Sequence, residues 1–387
     1  MYTRLLRISY SYSSFLFGAR GTGKTTYLQN TFNASNSYWF DLLDIDLEDR
    51  IARNPKLVLD ILGTLDKNVK YIIFDEIQKL PKLLDLIHTF VQKTPNRFRF
   101  ILTGSSARKL RSSSANMLAG RAFVFNLFPL SFIELNNNFK FIEYLKYGGL
   151  PQVYKFKNNS DKISFLKAYE LTYLKEEVWA EHLIKNLDPF RNFLEVAAQS
   201  NGDIINYTKI ASLIGVTTKT VQVYYDILKE TYIGIILDAY HSSARKRLIQ
   251  SPKFYFIDIG IKRALDNTLS IEYRERTYAY GKAFEHFVIT QIYILNNYYK
   301  KDYKMFYLKT KDGVEIDLII EKPTKEIILV EIKSTNKSDT INTTNLRHLK
   351  KDMKAVKAIV MSNDSIKRVA QGVEFVKWDE GIKKIFK

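Results

Sequence analysis

The chain predicts an α/β protein in three stages: a parallel sheet with helices on both faces, a helical middle ending in a winged-helix segment, and a second α/β domain. Three observations carry this expectation. A glycine-rich phosphate-binding loop follows the first apolar strand, a compact helix-turn-helix pattern starts at Tyr207, and two strands near the C-terminus bring charged residues face to face.

The first observation is the stretch Phe15 to Leu28, FLFGARGTGKTTYL. Gly18 is followed by four residues and then by Gly23-Lys24-Thr25, the full spacing of a phosphate-binding loop. Phe15-Leu16-Phe17 reads as a buried strand and Lys24 to Asn30 as the start of a helix. Glycines let the backbone curl so that successive N–H groups face phosphate oxygens, and the helix N-terminus adds positive potential. The predicted nucleotide contacts are Gly18, Ala19, Arg20, Gly21, Thr22, Gly23, Lys24, Thr25 and Thr26. Lys24 would reach the β and γ phosphates of ATP, and the Thr25 hydroxyl would bind Mg²⁺.

A second strand is predicted at Ser37 to Leu43, then an acidic stretch and a helix through Leu62. In Tyr71 to Pro81, YIIFDEIQKLP, four apolar residues place Asp75 and Glu76 at the carboxyl end of a strand, where an open α/β sheet has its ligand crevice. Asp75 would hold Mg²⁺ through water, and Glu76 would polarise the water that attacks the γ-phosphate. The strand Phe98 to Ser105 ends in hydroxyls, and Thr103 or Ser105 could sense the γ-phosphate or cap the next helix. Arg108, Arg111 and Arg121 are candidates for the charge that stabilises phosphoryl transfer, in cis or from a neighbouring subunit. Arg121 is favoured because it directly precedes the apolar strand Ala122 to Phe125, expected to hold it near the nucleotide edge of the sheet.

At 387 residues the chain has room for two to four domains. It has no cysteine, which excludes disulfides and cysteine zinc sites, and its five histidines show no metal-ligand spacing. The N-terminus is basic and acid-free like a targeting peptide, but Ser and Tyr break its apolar part and it leads straight into the phosphate loop. No apolar run approaches the ~20 residues of a membrane span. A cytoplasmic protein without a membrane partner is therefore the expectation. The formal charge of +18 points to a polyanionic partner such as DNA. It divides as +7 over residues 1–135, +1 over 136–190, +2 over 191–275 and +8 over 276–387.

Asn136 to Asn138 and the stretch 157–162 mark a loop-rich boundary. From Tyr207, a first helix ends at Gly215, Thr217 caps a second, and Thr218 to Glu230 would bury Val221, Tyr224 or Tyr225, and Leu228. Strands are predicted at Gly234 to Tyr240 and Lys253 to Ile257, with Arg245, Lys246 and Arg247 at the tip of a wing between them. Thr218, Lys219 and Gln222 are placed to read a DNA groove. On the same helix Asp226 and Glu230 cancel Lys219 and Lys229, which favours a lid or docking role instead.

In the last domain, Gly281 to Val288 opens a long helix lined by Phe284, Phe287, Val288, Gln291 and Ile292, with Glu285 at its margin. Val314 to Ile320 and Ile327 to Lys333 read as a hairpin. A turn centred on Thr324 would set Asp317 opposite Glu331 and Glu315 opposite Lys333, all on one face. Opposed carboxylates cost about several tenths of a kcal/mol. A divalent cation would remove that cost. Mg²⁺ or Mn²⁺ held by Asp317, Glu331 and Glu285 would leave room for water and a phosphodiester, and Lys333 would activate the water.

The motifs GARGTGKTT, IIFDEIQKLP, ILTGSS and LAGRAFVFNLFPLSFIEL, in that order and spacing, resemble the AAA+ ATPases of bacteria and archaea that carry a C-terminal nuclease-like domain. The stretches 148–156, 172–178 and 252–261 are similar to the same family, so the resemblance covers nearly the whole chain. It implies an AAA+ ATPase core (1–135), a helical linker or lid (136–190), a winged helix (191–275) and a PD-(D/E)xK, restriction-endonuclease-like domain (276–387). Asp317 and Glu331-x-Lys333 look like that domain's signature, with Ile316 in place of the usual Pro, and Glu285 matches its helix carboxylate. AAA+ sites are usually completed across a subunit interface, which implies a homo-oligomer such as a ring. Two functions follow as expectations. One is an ATPase coupled to a metal-dependent endonuclease acting on DNA; the other is an ATP-operated switch whose silent nuclease-like fold binds DNA or a protein partner.

Overall fold

The computed structural model describes residues 2–106, 121–173, 187–241 and 250–387. The chain forms two compact units: Met1–Leu130 with Asp226–Ile233, and Ser131–Tyr225 with Gly234–Lys387.

The first unit is built on five parallel strands, β1 (Ser13–Phe17), β2 (Ser37–Asp41), β3 (Tyr71–Asp75), β4 (Arg99–Gly104) and β5 (Ala122–Asn126), in the order β2-β3-β4-β1-β5. Strands buried on both faces are apolar throughout rather than alternating. The middle strands follow that rule: every residue of β1 is buried, and Ile72, Ile73 and Phe74 of β3 are fully so. Helix α1 (Lys24–Thr31) follows the loop after β1. The helix predicted through Leu62 is two helices, α2 (Ile45–Arg53) and α3 (Lys56–Thr64). The break falls at Asn54-Pro55, because proline lacks the N–H a helix interior needs and pushes its predecessor out of helical geometry. Asp44 caps α2, accepting from the N–H groups of Asp46 and Leu47. Helix α4 (Leu83–Lys93) turns Leu83, Leu84 and Ile87 onto a core of Phe15, Phe17, Phe40, Phe74 and Phe100, in which Phe40 stacks on Phe74 at 4.5 Å.

The second unit contains helices α5 (Phe141–Tyr147), α6 (Asn159–Ala168), α7 (Leu187–Gln199), α8 (Tyr207–Ile214) and α9 (Thr218–Glu230), the last of which continues past the unit's edge at Tyr225. Gly215 ends α8 in the left-handed conformation at φ 70°, and the Thr217 hydroxyl accepts from Thr220 N to start α9. Beyond them run β6 (Gly234–Ala239), β7 (Lys253–Phe256), α10 (Ile259–Leu265), α11 (Tyr278–Tyr298), β8 (Lys304–Lys309), β9 (Glu315–Glu321), β10 (Ile327–Lys333), α12 (Thr344–Asp352), β11 (Lys357–Ser362), β12 (Arg368–Ala370), β13 (Val373–Lys377) and α13 (Trp378–Ile385). The eight strands form one mixed sheet, ordered β12-β13-β11-β10-β9-β8-β6-β7.

The expected strands β6 and β7 do pair antiparallel, yet they are not confined to a wing. β6 also pairs with β8 through Asp238–Phe306 and Ala239–Tyr307, so one sheet crosses the boundary expected at 275/276. The tip residues Arg245, Lys246 and Arg247 lie outside the described residues, as do Arg108 and Arg111. Helix α11 buries Phe284, Phe287, Val288, Gln291 and Ile292, the face its periodicity predicts. Phe287 meets Trp378 of α13 edge-on at 5.0 Å. Among the described residues no helix is long and apolar enough to cross a membrane.

Candidate functional site

The loop after β1 has the geometry its glycines demand. Gly21 (φ 74°) and Gly23 (φ 89°) sit in the left-handed region, and a Cβ on Gly18 would lie 2.1 Å from the carbonyl oxygen of Leu127. Thr22 is fully buried and its hydroxyl donates to Ala19 O at 2.8 Å, tightening the turn. Lys24, 5 % exposed, folds back so that Nζ donates to Gly18 O at 2.8 Å and stands 3.8 Å from Glu76 Oε1. Arg20 and Thr26, before and after Lys24 in the chain, are exposed. Sequence reasoning missed Arg4, whose guanidinium donates to the carbonyls of Thr22 and Phe128 and braces the loop from outside; one of two arginines in a segment without a periodic pattern carries no signal of its own.

Parallel pairing of β3 with β4 and of β4 with β1 delivers Asp75, Thr103 and the loop to the same end of the sheet. Asp75 accepts from the Thr25 hydroxyl at 2.6 Å on one oxygen and from the Thr103 hydroxyl on the other. Burial raises its pKa, an effect opposed by those two hydroxyls. Glu76 adopts φ 61°, uncommon for a side-chain-bearing residue, and its N–H donates to Thr103 Oγ1 at 2.9 Å. Thr103 thus bridges the two acids. Ser105 is buried beside them and accepts from Gln78 Nε2 at 2.9 Å. Thr25 Oγ1 and the Asp75 carboxylate are hard oxygen donors placed side by side, which fits a Mg²⁺ ion held between loop and strand.

Arg121 requires a correction. It precedes Ala122, which pairs with Ser13 at the start of β1, while the phosphate loop leaves the far end of β1 after Phe17. At ~3.3 Å per residue the two ends lie about 15 Å apart. Arg121 instead points its Nη1 to His88 Nε2 at 3.4 Å and does not reach the nucleotide loop of its own chain.

In the second unit, β9 and β10 pair as Glu321–Ile327, Ile320–Ile328, Ile319–Leu329 and Leu318–Val330, the register expected for a turn at Thr324. The ladder stops there because Asp317 Oδ2 itself accepts from Ile332 N at 2.7 Å. Asp317 and Glu331 are brought together, bridged by Lys333, whose Nζ lies 2.6 Å from Glu331 and 3.8 Å from Asp317. Burial, then Glu331, then Glu285 push the Asp317 carboxyl up to about 8. Burial pulls Lys333 down, but Asp317 and Glu331 outweigh it and raise its pKa.

The expected pairing of Glu315 with Lys333 is not formed. Glu315 takes Lys253 at 2.6 Å and Lys309 at 3.8 Å, since β9 also pairs with β8, and Lys253 reaches in from β7. Glu285 accepts from Tyr255 Oη at 2.6 Å and lies 3.6 Å from Lys253. Among the described residues no three acidic or histidine side chains are grouped to hold a metal ion. Of the expected metal set, Glu285 stands 3.6 Å from Lys253, and Asp317 and Glu331 share Lys333. Lys253 and Tyr255 were missed; their signal was a polar residue at alternate positions of an otherwise apolar strand. Thr218, Lys219 and Gln222 all lie on the exposed face of α9.

These geometries can be set beside known proteins. Residues 11–136 match the family model described as AAA domain. That match supports an ATPase. Behind the AAA domain, residues 138–272 match a domain of unknown function (DUF8612) and residues 280–380 another (DUF4143). A protein of Methanocaldococcus jannaschii is 25 % identical over 96 % of this chain and 83 % of its own length. One of Mycobacterium tuberculosis is 26 % identical over 79 % of this chain and 67 % of its own. Both are uncharacterised. A chain from the Thermococcus gammatolerans assembly of McrB AAA+ hexamers with bound McrC superposes over 54 % of this chain and 76 % of that one. It is 11 % identical with a TM-score of 0.19, too loose a superposition to bear on function.

Proposed function

We propose that this protein is a Mg²⁺-dependent ATPase that acts as a nucleotide-operated switch on a nucleic-acid partner. The observation that carries it is the single cluster in which Lys24, Thr25, Asp75, Glu76 and Thr103 meet around the phosphate loop. Lys24 would leave the Gly18 carbonyl for the β and γ phosphates, and Mg²⁺ bound by Thr25 and Asp75 would supply charge neutralisation there. Glu76 would accept the proton of the attacking water, and Thr103 holds Glu76 and Asp75 in fixed relation. An AAA domain working in a homo-oligomeric ring in the cytoplasm fits this reading, with any arginine finger, Arg121 included, arriving from a neighbouring subunit. DNA is the partner that the +8 charge of residues 276–387 favours. Fluorescent-ATP titration tests the core of the reading. Lys24→Ala should abolish binding that the unaltered protein shows, and equal binding by both would end the proposal.

The crowding of Asp317 with Glu331 and Glu285 favours a second reading, in which the last domain is a Mg²⁺- or Mn²⁺-dependent PD-(D/E)xK endonuclease. Lys333 pairs with Glu331 and Lys253 stands 3.6 Å from Glu285, contacts that favour the switch of the two. Plasmid incubated with the protein and Mn²⁺, with and without ATP, separates them. Cleavage lost in Asp317→Ala and Lys333→Ala would establish the nuclease; intact plasmid under every condition leaves the switch.

A further inference from the structure

Gln78 lies two residues beyond Glu76 in a short 3-10 turn, Ile77–Lys79, and is 8 % exposed. Its Nε2 donates one hydrogen bond to Glu76 Oε2 and another to Ser105 Oγ at 2.9 Å. Among the described residues its Oε1 is buried without a hydrogen-bond partner. A buried carbonyl oxygen without a donor is destabilising, so an arrangement that accepts this cost points to a constraint other than stability. A Cβ on the neighbouring Gly104 would come within 2.9 Å of that oxygen, so the absence of a side chain there leaves the amide its room.

We propose that Gln78 is a positioning residue of the ATPase centre, tying the Glu76 carboxylate to the Ser105 hydroxyl. This rests on the ATPase reading above and says how the site orients its base. Both protons of the Gln78 amide are committed, one to each neighbour. With Oε2 of Glu76 held by the amide, Oε1 is the oxygen left for the water, and it is the one that faces Lys24. A triphosphate that draws Lys24 away removes the carboxylate's nearby cation, and Gln78 keeps it in place. Ser105 accepts from Gln78, which leaves its own O–H proton available for donation to a phosphate oxygen. One amide thus fixes the acceptor for the water and the donor for the phosphate.

The test measures ATP turnover and fluorescent-ATP affinity in the full chain for Gln78→Ala, Gln78→Glu and Gly104→Ala. Gln78→Ala should lower kcat on the order of tenfold to a hundredfold, with nucleotide affinity within about threefold of the unaltered protein. Gln78→Glu keeps the size of the side chain but cannot donate both bonds, so it should lose kcat as Gln78→Ala does, again with affinity within about threefold. A merely structural role would lower affinity and kcat together. Gly104→Ala, which displaces the amide without altering it, should reproduce the kcat loss. Turnover of Gln78→Ala within twofold of normal, or parallel loss of affinity and kcat, overturns the positioning role while leaving the ATPase standing. An unaltered protein that binds but never hydrolyses ATP overturns both.

Discussion

Thr25 Oγ1 donates a 2.6 Å hydrogen bond to Asp75 Oδ2 across fifty residues of chain. It joins the first turn of α1 to the end of β3, and the same carboxylate takes Thr103 from β4. Three elements that are distant in sequence therefore converge on one pair of oxygens suited to a divalent ion. Removing the hydroxyl while keeping the shape isolates its part. Thr25→Val should weaken Mg²⁺-ATP binding by about tenfold or more while leaving magnesium-free nucleotide binding nearly unchanged, as read by titration with and without EDTA.

Glu76→Gln keeps size and hydrogen bonding but cannot accept a proton from water. It should retain ATP and lose roughly a hundredfold or more in phosphate release, measured by a coupled assay. Undiminished release would remove Glu76 from the role of base.

The raised pKa of Asp317 has a defined sign. An acid whose folded pKa, about 8, exceeds its unfolded value binds more protons when folded, so its contribution to stability is present below the ordinary carboxylate range and lost as pH rises toward 8. Asp317→Asn should flatten that decline. Thermal midpoints recorded between pH 5 and pH 8.5 should fall less for the variant than for the normal chain; identical slopes would contradict this.

Lys253 is 2 % exposed and faces Glu315 and Glu285. Lys253→Met preserves the buried stem and deletes the charge, which strands two acids without their shared cation. A loss of about 3–5 kcal/mol in urea denaturation is expected.

Asp258 is fully buried and accepts from Gly149 N at 2.6 Å and Ile261 N at 3.0 Å, and burial raises its pKa to about 6. It pins the 148–150 loop to the start of α10, and a Cβ on Gly148 would collide with its Oδ1 at 2.1 Å. Asp258→Ala orphans these N–H groups and should cost about 2–4 kcal/mol, with Asp258→Asn milder.

The first unit was largely legible because spacing and strand ends are local: Lys24, Thr25, Asp75 and Thr103 meet where the pattern predicts. Arg121 was not, because adjacency to a strand does not say which end of a parallel sheet the residue joins. The hairpin register followed from its turn, but the partners of Glu315 and Glu285 did not. They come from Lys253 and Tyr255 on β7, a strand that reaches the site only through sheet order, which no local pattern encodes. Gln78 went unremarked because a glutamine inside an acidic motif carries no charge to announce it.

The junction of β6 with β8 bears on anyone who would subclone the C-terminal part alone. A fragment starting at Arg276 would be synthesised with the flank of β8 bare, two neighbouring strands missing, and Glu285 and Glu315 bereft of the lysine that quiets them. Such a piece invites edge-to-edge aggregation, so expression should begin upstream of Gly234.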